Sequence, residues 1–136
     1  MNRLRRVFRL LLVLWAGSLW SLAAWVAPTL FAAQGDRHLA GVLAGKLFSI
    51  EAYVGVAVAV MALLLPGRSK YLLGYLAAVL LAANEWVLRG FMHSAQIHGS
   101  ALGLTFGAWH GVSAALYLVG CLCVVVMIYK GEVLNG

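Results

Sequence analysis

Apolar residues run in four long blocks, each closed by a few polar or turn-forming positions. The blocks cover residues 7–31, 40–65, 71–93 and 101–129, and the second stops at Pro66-Gly67. A helix needs about 20 apolar residues to cross a bilayer, and each block meets that length. The intervening breaks are short, which forces antiparallel neighbours. The pattern therefore predicts an all-α, four-transmembrane-helix antiparallel bundle, with residues 1–136 forming a single integral membrane domain.

Composition sharpens this picture. Of 136 residues, 64% are hydrophobic and only 10% charged. A soluble domain is about half apolar and a quarter charged, so that class is excluded. The net charge of +6 could suggest a nucleic-acid binder, but its placement argues for a lipid bilayer and no nucleic acid. Arg3, Arg5, Arg6, Arg9, Arg68, Lys70 and Lys130 fall on one side of the predicted topology, and Arg37 alone falls on the other. By the positive-inside rule both termini are cytoplasmic, and in a bacterium the chain lies in the inner membrane. Arg5-Arg6-Val7-Phe8 before an apolar run resembles an export signal. Phe31 stands where a cleavage site needs a small residue, so the first block is expected to remain as a span.

Several polar residues interrupt the blocks where lipid does not favour them. Lys46 and Glu51 lie in the second, Asn84, Glu85, Arg89 and His93 in the third, His110 and Ser113 in the fourth. Each ionisable group inside a membrane helix costs about 2.5–3.5 kcal/mol on insertion scales. All fall toward one side of the membrane. Glu85, Arg89 and His93 share a helical stripe, as do Lys46, Ser49 and Tyr53, then His110, Ser113 and Tyr117, then Ser18, Ser21 and Trp25. The expectation is one polar interior near the periplasmic end. Two buried ion pairs among Lys46, Glu51, Glu85 and Arg89 would satisfy the same charges without any functional role. Gly99, Gly103, Gly107 and Gly111, and likewise Gly41 and Gly45, are spaced for close helix packing. Cys121 and Cys123 point to different faces and read as packing residues.

Neutral imidazole ligates haem iron, copper and zinc. His110 is the sharpest candidate for such a role, with His93, His98 or His38 as a second ligand. Spacings such as C-x-x-C or H-x-x-x-H are absent. So are phosphate loops, dinucleotide fingerprints and G-x-S-x-G.

Four segments together carry a family resemblance. They are Leu14-Trp15-Ala16-Gly17-Ser18-Leu19 with Ala27-Pro28-Thr29-Leu30-Phe31, then Ala44-Gly45-Lys46-Leu47-Phe48, then Ala83-Asn84-Glu85-Trp86, then Phe106 to Ser113. In this order they resemble the transmembrane-protein-205-like family, a membrane domain of unknown function. The resemblance implies four membrane helices, with Lys46, Asn84, His110 and Ser113 at motif positions. Arg89-Gly90 stands where that family commonly has a proline. The family is distantly similar to the copper-resistance D and HemJ-type proteins, which implies haem or a copper-type metal.

Three functions follow. In the first, His110 ligates haem or a metal, Lys46 and Arg89 neutralise haem propionates or another anion, Glu51, Glu85 and Asn84 orient ligands or pass protons, and Ser113 lines the same cofactor site. In the second, a small proton-coupled transporter uses the same interior. In the third, a structural or assembly subunit docks on a membrane-protein partner or forms a homo-oligomer.

Overall fold

The computed structural model describes residues 2–130. They are almost wholly helical, with no strand among the described residues. Four helices are long and apolar enough to cross a membrane: α1 (Arg3–Ala33), α2 (Arg37–Leu63), α3 (Arg68–His98) and α4 (Phe106–Tyr129). Each packs on its chain neighbour, and α1 closes the ring on α4.

The antiparallel order shows in the core. Phe8 and Leu12 from the start of α1 meet Val58 and Ala62 from the end of α2, Tyr71 from the start of α3 and Met127 from the end of α4. Phe8 and Tyr71 pack edge to face at 5.2 Å. Lipid offers no hydrophobic drive between helices, so contact quality holds them together. Gly55 shows this: a Cβ there would lie 3.0 Å from the Trp15 ring and 3.4 Å from Leu81.

Local chemistry sets the helix ends. The Asp36 carboxylate caps α2, accepting from His38 N at 2.8 Å and Leu39 N at 3.3 Å, which satisfies amides the helix leaves open. The Thr105 hydroxyl caps α4 through Ala108 N. Pro66 and Gly67, with φ +79°, turn the chain between α2 and α3. Two wide π turns lie inside the helices, at Leu22–Val26 and Asn84–Leu88. Pro28 follows the first and lacks an N–H, so the ladder is already short of a donor there.

The helices differ from the sequence blocks at their ends. α3 continues through residues 94–98, although the polarity of Ser94, Gln96 and His98 predicts a loop there. α4 begins at Phe106 rather than residue 101. Ala101 and Leu104 exchange two backbone hydrogen bonds in a tight turn, with Leu102 at φ 49° and Gly103 at φ 78°. The Trp109 indole donates to the Ala101 carbonyl at 2.9 Å and pins that turn.

The glycine seam is corrected too. Gly99 and Gly103 are positive-φ loop residues, and a Cβ on Gly107 or Gly111 would meet nothing within 4 Å. Small-residue spacing alone does not choose between a neighbour in the chain and open surface.

Candidate functional site

The intramembrane polar residues stand at similar depths. At 1.5 Å per residue, Glu51 lies about 21 Å along α2 from Arg37, and Glu85 about 20 Å back along α3 from His98. They do not share one interior. Ser49 and Glu51 are two residues apart on a helix, so their side chains leave it on nearly opposite sides. The polar groups accordingly fall into two clusters.

The first cluster occupies the outer seam between α2 and α3. Arg89 Nη1 donates to Glu85 Oε1 at 2.5 Å and to the Ser49 hydroxyl at 2.6 Å. That hydroxyl lies 2.6 Å from Glu85 Oε1 and 3.0 Å from the Gly45 carbonyl, and its one proton serves one of them at a time. Gly45 leaves room for the guanidinium, since a Cβ there would stand 3.0 Å from Arg89 Nη2. The Glu85 side chain is 15% exposed and that of Arg89 is 45% exposed. Lys46 is exposed beside this seam and has no ion pair among the described residues. Tyr53 and Trp86 stack edge to face at 5.5 Å on the same pair of helices, and both are exposed.

The second cluster is interior. Glu51 is buried, and its Oε2 has no hydrogen-bond partner. Tyr117 and Cys121 from α4 stand beside it, and it reaches the exposed Ser18 of α1, whose hydroxyl donates to the Trp15 carbonyl at 2.9 Å. The Tyr117 hydroxyl donates to the Leu19 carbonyl at 2.7 Å, and its ring packs edge-on against Phe48 at 4.8 Å. Beside this core Asn84 links α3 to α4, its Nδ2 donating to the Ser113 carbonyl at 2.9 Å. Asn84 Oδ1 is buried without a partner.

The expected polar stripes hold only in part. Only Glu85–Arg89 forms an ion pair among the described residues, so the two-pair network is not built. Glu51 and Lys46 project from different sides of α2. His93 is exposed on α3 without a polar partner. His110 is exposed on α4, its ring stacked on Phe106 at 6.0 Å. Trp25 is 62% exposed, and Ser18 on the same expected stripe is exposed too, so that face of α1 does not turn inward. No group of three His, Cys, Asp or Glu side chains stands ready for a metal among the described residues. The described residues therefore offer no ready three-ligand metal centre.

Sequence reasoning missed two features. Gly45 acts as a notch for Arg89, and Cys121 stands with Tyr117 beside Glu51. The four-residue offset of Gly45 from Ser49 was the available signal for the first. The second required knowing which face of α4 turns inward.

Comparison with known proteins adds a family and no activity. Residues 10–101 match a model described as a domain of unknown function, DUF4149. That segment runs from α1 through α3 and ends before α4. No curated protein and no solved structure matches the chain.

Proposed function

Since the chain belongs to the DUF4149 family of unknown function, we propose its role from its own chemistry: a small multi-pass membrane subunit whose charged α2–α3 face docks on a second membrane protein. One observation carries this reading. Arg89 lies well inside a membrane-crossing helix, yet its side chain is 45% exposed. Charged groups at such depth usually face a bundle interior or a water-filled cavity and are paired. Lys46 beside it has no counter-ion among the described residues, so there the face carries Lys46 and Arg89 against Glu85. The partner is therefore an apolar membrane helix that brings a carboxylate. Exposed Ile50, Tyr53 and Trp86 supply the packing surface. In this reading the chain sits in a bacterial inner membrane with both termini cytoplasmic. Kinship with the transmembrane-protein-205-like, copper-resistance D and HemJ-type proteins rests on the motif residues alone.

Photocrosslinking from position 50 or 86 in native membranes tests the docking. The expected product is a single adduct whose partner peptide contains an intramembrane Asp or Glu. The adduct is lost in Arg89→Glu and restored when the partner carboxylate becomes Arg. Adducts to lipid alone, or no charge-swap rescue, would refute it.

A second reading is proton-coupled transport, favoured by the unpartnered Glu51 Oε2 in the middle of the bundle. Intramembrane carboxylates often serve proton relays. Proteoliposomes that acidify no faster than empty vesicles, or equally with Glu51→Gln, would sink this reading. Haem or metal binding through His110 has no such support, since His110 stands exposed and belongs to no group of three His, Cys, Asp or Glu among the described residues. A Soret band or stoichiometric metal lost in His110→Ala would restore it.

A further inference from the structure

The opposite end of the bundle carries a different chemistry. α1 has 31 residues, about 46 Å, against a hydrocarbon core of about 30 Å. Its excess length extends the first turns, with Arg3, Arg5 and Arg6, past the apolar span. The contact of Phe8 with Tyr71 brings this segment level with the turn between α2 and α3, where Arg68 and Lys70 are exposed. Of the four acidic residues, Asp36 lies at the other end, Glu51 and Glu85 lie mid-helix, and Glu132 lies outside the described residues. No acidic residue therefore offsets the basic ones here among the described residues.

Two further features point to a ligand. The Tyr75 hydroxyl is buried at this end, within the field of Arg68, and has no hydrogen-bond partner. Tyr75 also lines a shallow apolar crevice with Val58, Ala59 and Met127. Around it, Leu4, Leu64 and Leu72 are 57%, 81% and 70% exposed. A set of cations bordering apolar surface at the edge of a membrane span matches one molecule in two parts.

We propose that this end binds an anionic phospholipid, with Arg5, Arg68 and Lys70 holding the headgroup phosphate and the acyl chains lying against Leu64, Leu72 and the crevice beside Tyr75. Juxtamembrane lysines and arginines attract anionic headgroups by Coulomb forces that act within a Debye length.

The test is thermal unfolding of the full chain in mild detergent, titrated with phosphatidylglycerol, with phosphatidylcholine of the same chains, or with inorganic phosphate. Phosphatidylglycerol alone should raise the midpoint. The Arg68→Gln/Lys70→Gln variant should need about thirty-fold more of it, as expected for two charges at the headgroup level. Arg37→Gln, at the other end, should respond like the parent. Arg5→Gln supplies an independent variant should the double change unfold the protein. Equal shifts with phosphatidylcholine, or with inorganic phosphate, would overturn the proposal. So would an unchanged titration in both variants.

Discussion

The two halves of the bundle are built on different rules. In the half that carries Arg3 and Lys130, Phe8, Leu12, Val58, Tyr71 and Met127 fill the space between all four helices with apolar side chains. Around the middle and toward the other end, Ser49, Glu51, Asn84, Glu85 and Arg89 replace such contacts with hydrogen bonds, an ion pair and two buried oxygens lacking partners. Both π turns lie in that second region, at Leu22–Val26 and Asn84–Leu88. Such turns are rare and concentrate at functional sites. The contrast teaches that one half is arranged for packing, while the other keeps groups that weaken packing and so need another reason to be there.

The comparison can be broken most directly at its glycines. Gly55→Leu drives a side chain into Trp15 and Leu81 and should cost about 2–3 kcal/mol. Gly107→Leu points into open space and should stay within about 0.5 kcal/mol. Denaturant unfolding in detergent reads both, and equal losses would mean that Gly107 is packed after all.

A smaller effect of opposite sign separates stability from function. Glu51→Leu removes a buried carboxyl with an unsatisfied oxygen and should stabilise the bundle by about 1 kcal/mol, since apolar replacement of buried charge is often neutral or better. It should also abolish any proton flux. A loss of stability would show that Glu51 is a structural anchor, partnered through Ser18 or water.

The smallest effect concerns the link between α3 and α4. Asn84→Ala should cost about 0.6 kcal/mol, the usual size for one interhelical hydrogen bond in a membrane. A cost several times larger would mean that the buried Asn84 Oδ1 has a partner of its own.

Part of this architecture is legible in the order of residues alone. The four spans follow from block length, because lipid leaves the backbone no partner but itself. The Glu85–Arg89 contact follows from i, i+4 spacing on one helix. The loop at residues 99–105 is not legible, since Ala101, Leu102 and Leu104 are as apolar as the span they precede. Its turn depends on positive φ at Leu102 and Gly103 and on the Trp109 indole reaching back to Ala101. The expected inward place of His110 fails although Tyr117, two turns further along the same stripe, is buried: the stripe turns inward only beyond the first turns of α4. Trp109 stacks on Phe91 and takes the inward position, leaving His110 outside.

The sequence by itself determined that the chain is a bundle of four membrane helices, how they alternate and where along each helix its charges fall. These properties depend only on local periodicity, run length and a fixed rise per residue. Only the tertiary structure decided that Glu51 turns inward to Ser18, Tyr117 and Cys121 while Lys46 and Arg89 face outward. Each helix is apolar nearly all round, so hydrophobic patterning gives no inside face in lipid. The rotation of each helix is settled by side-chain fit against its neighbours.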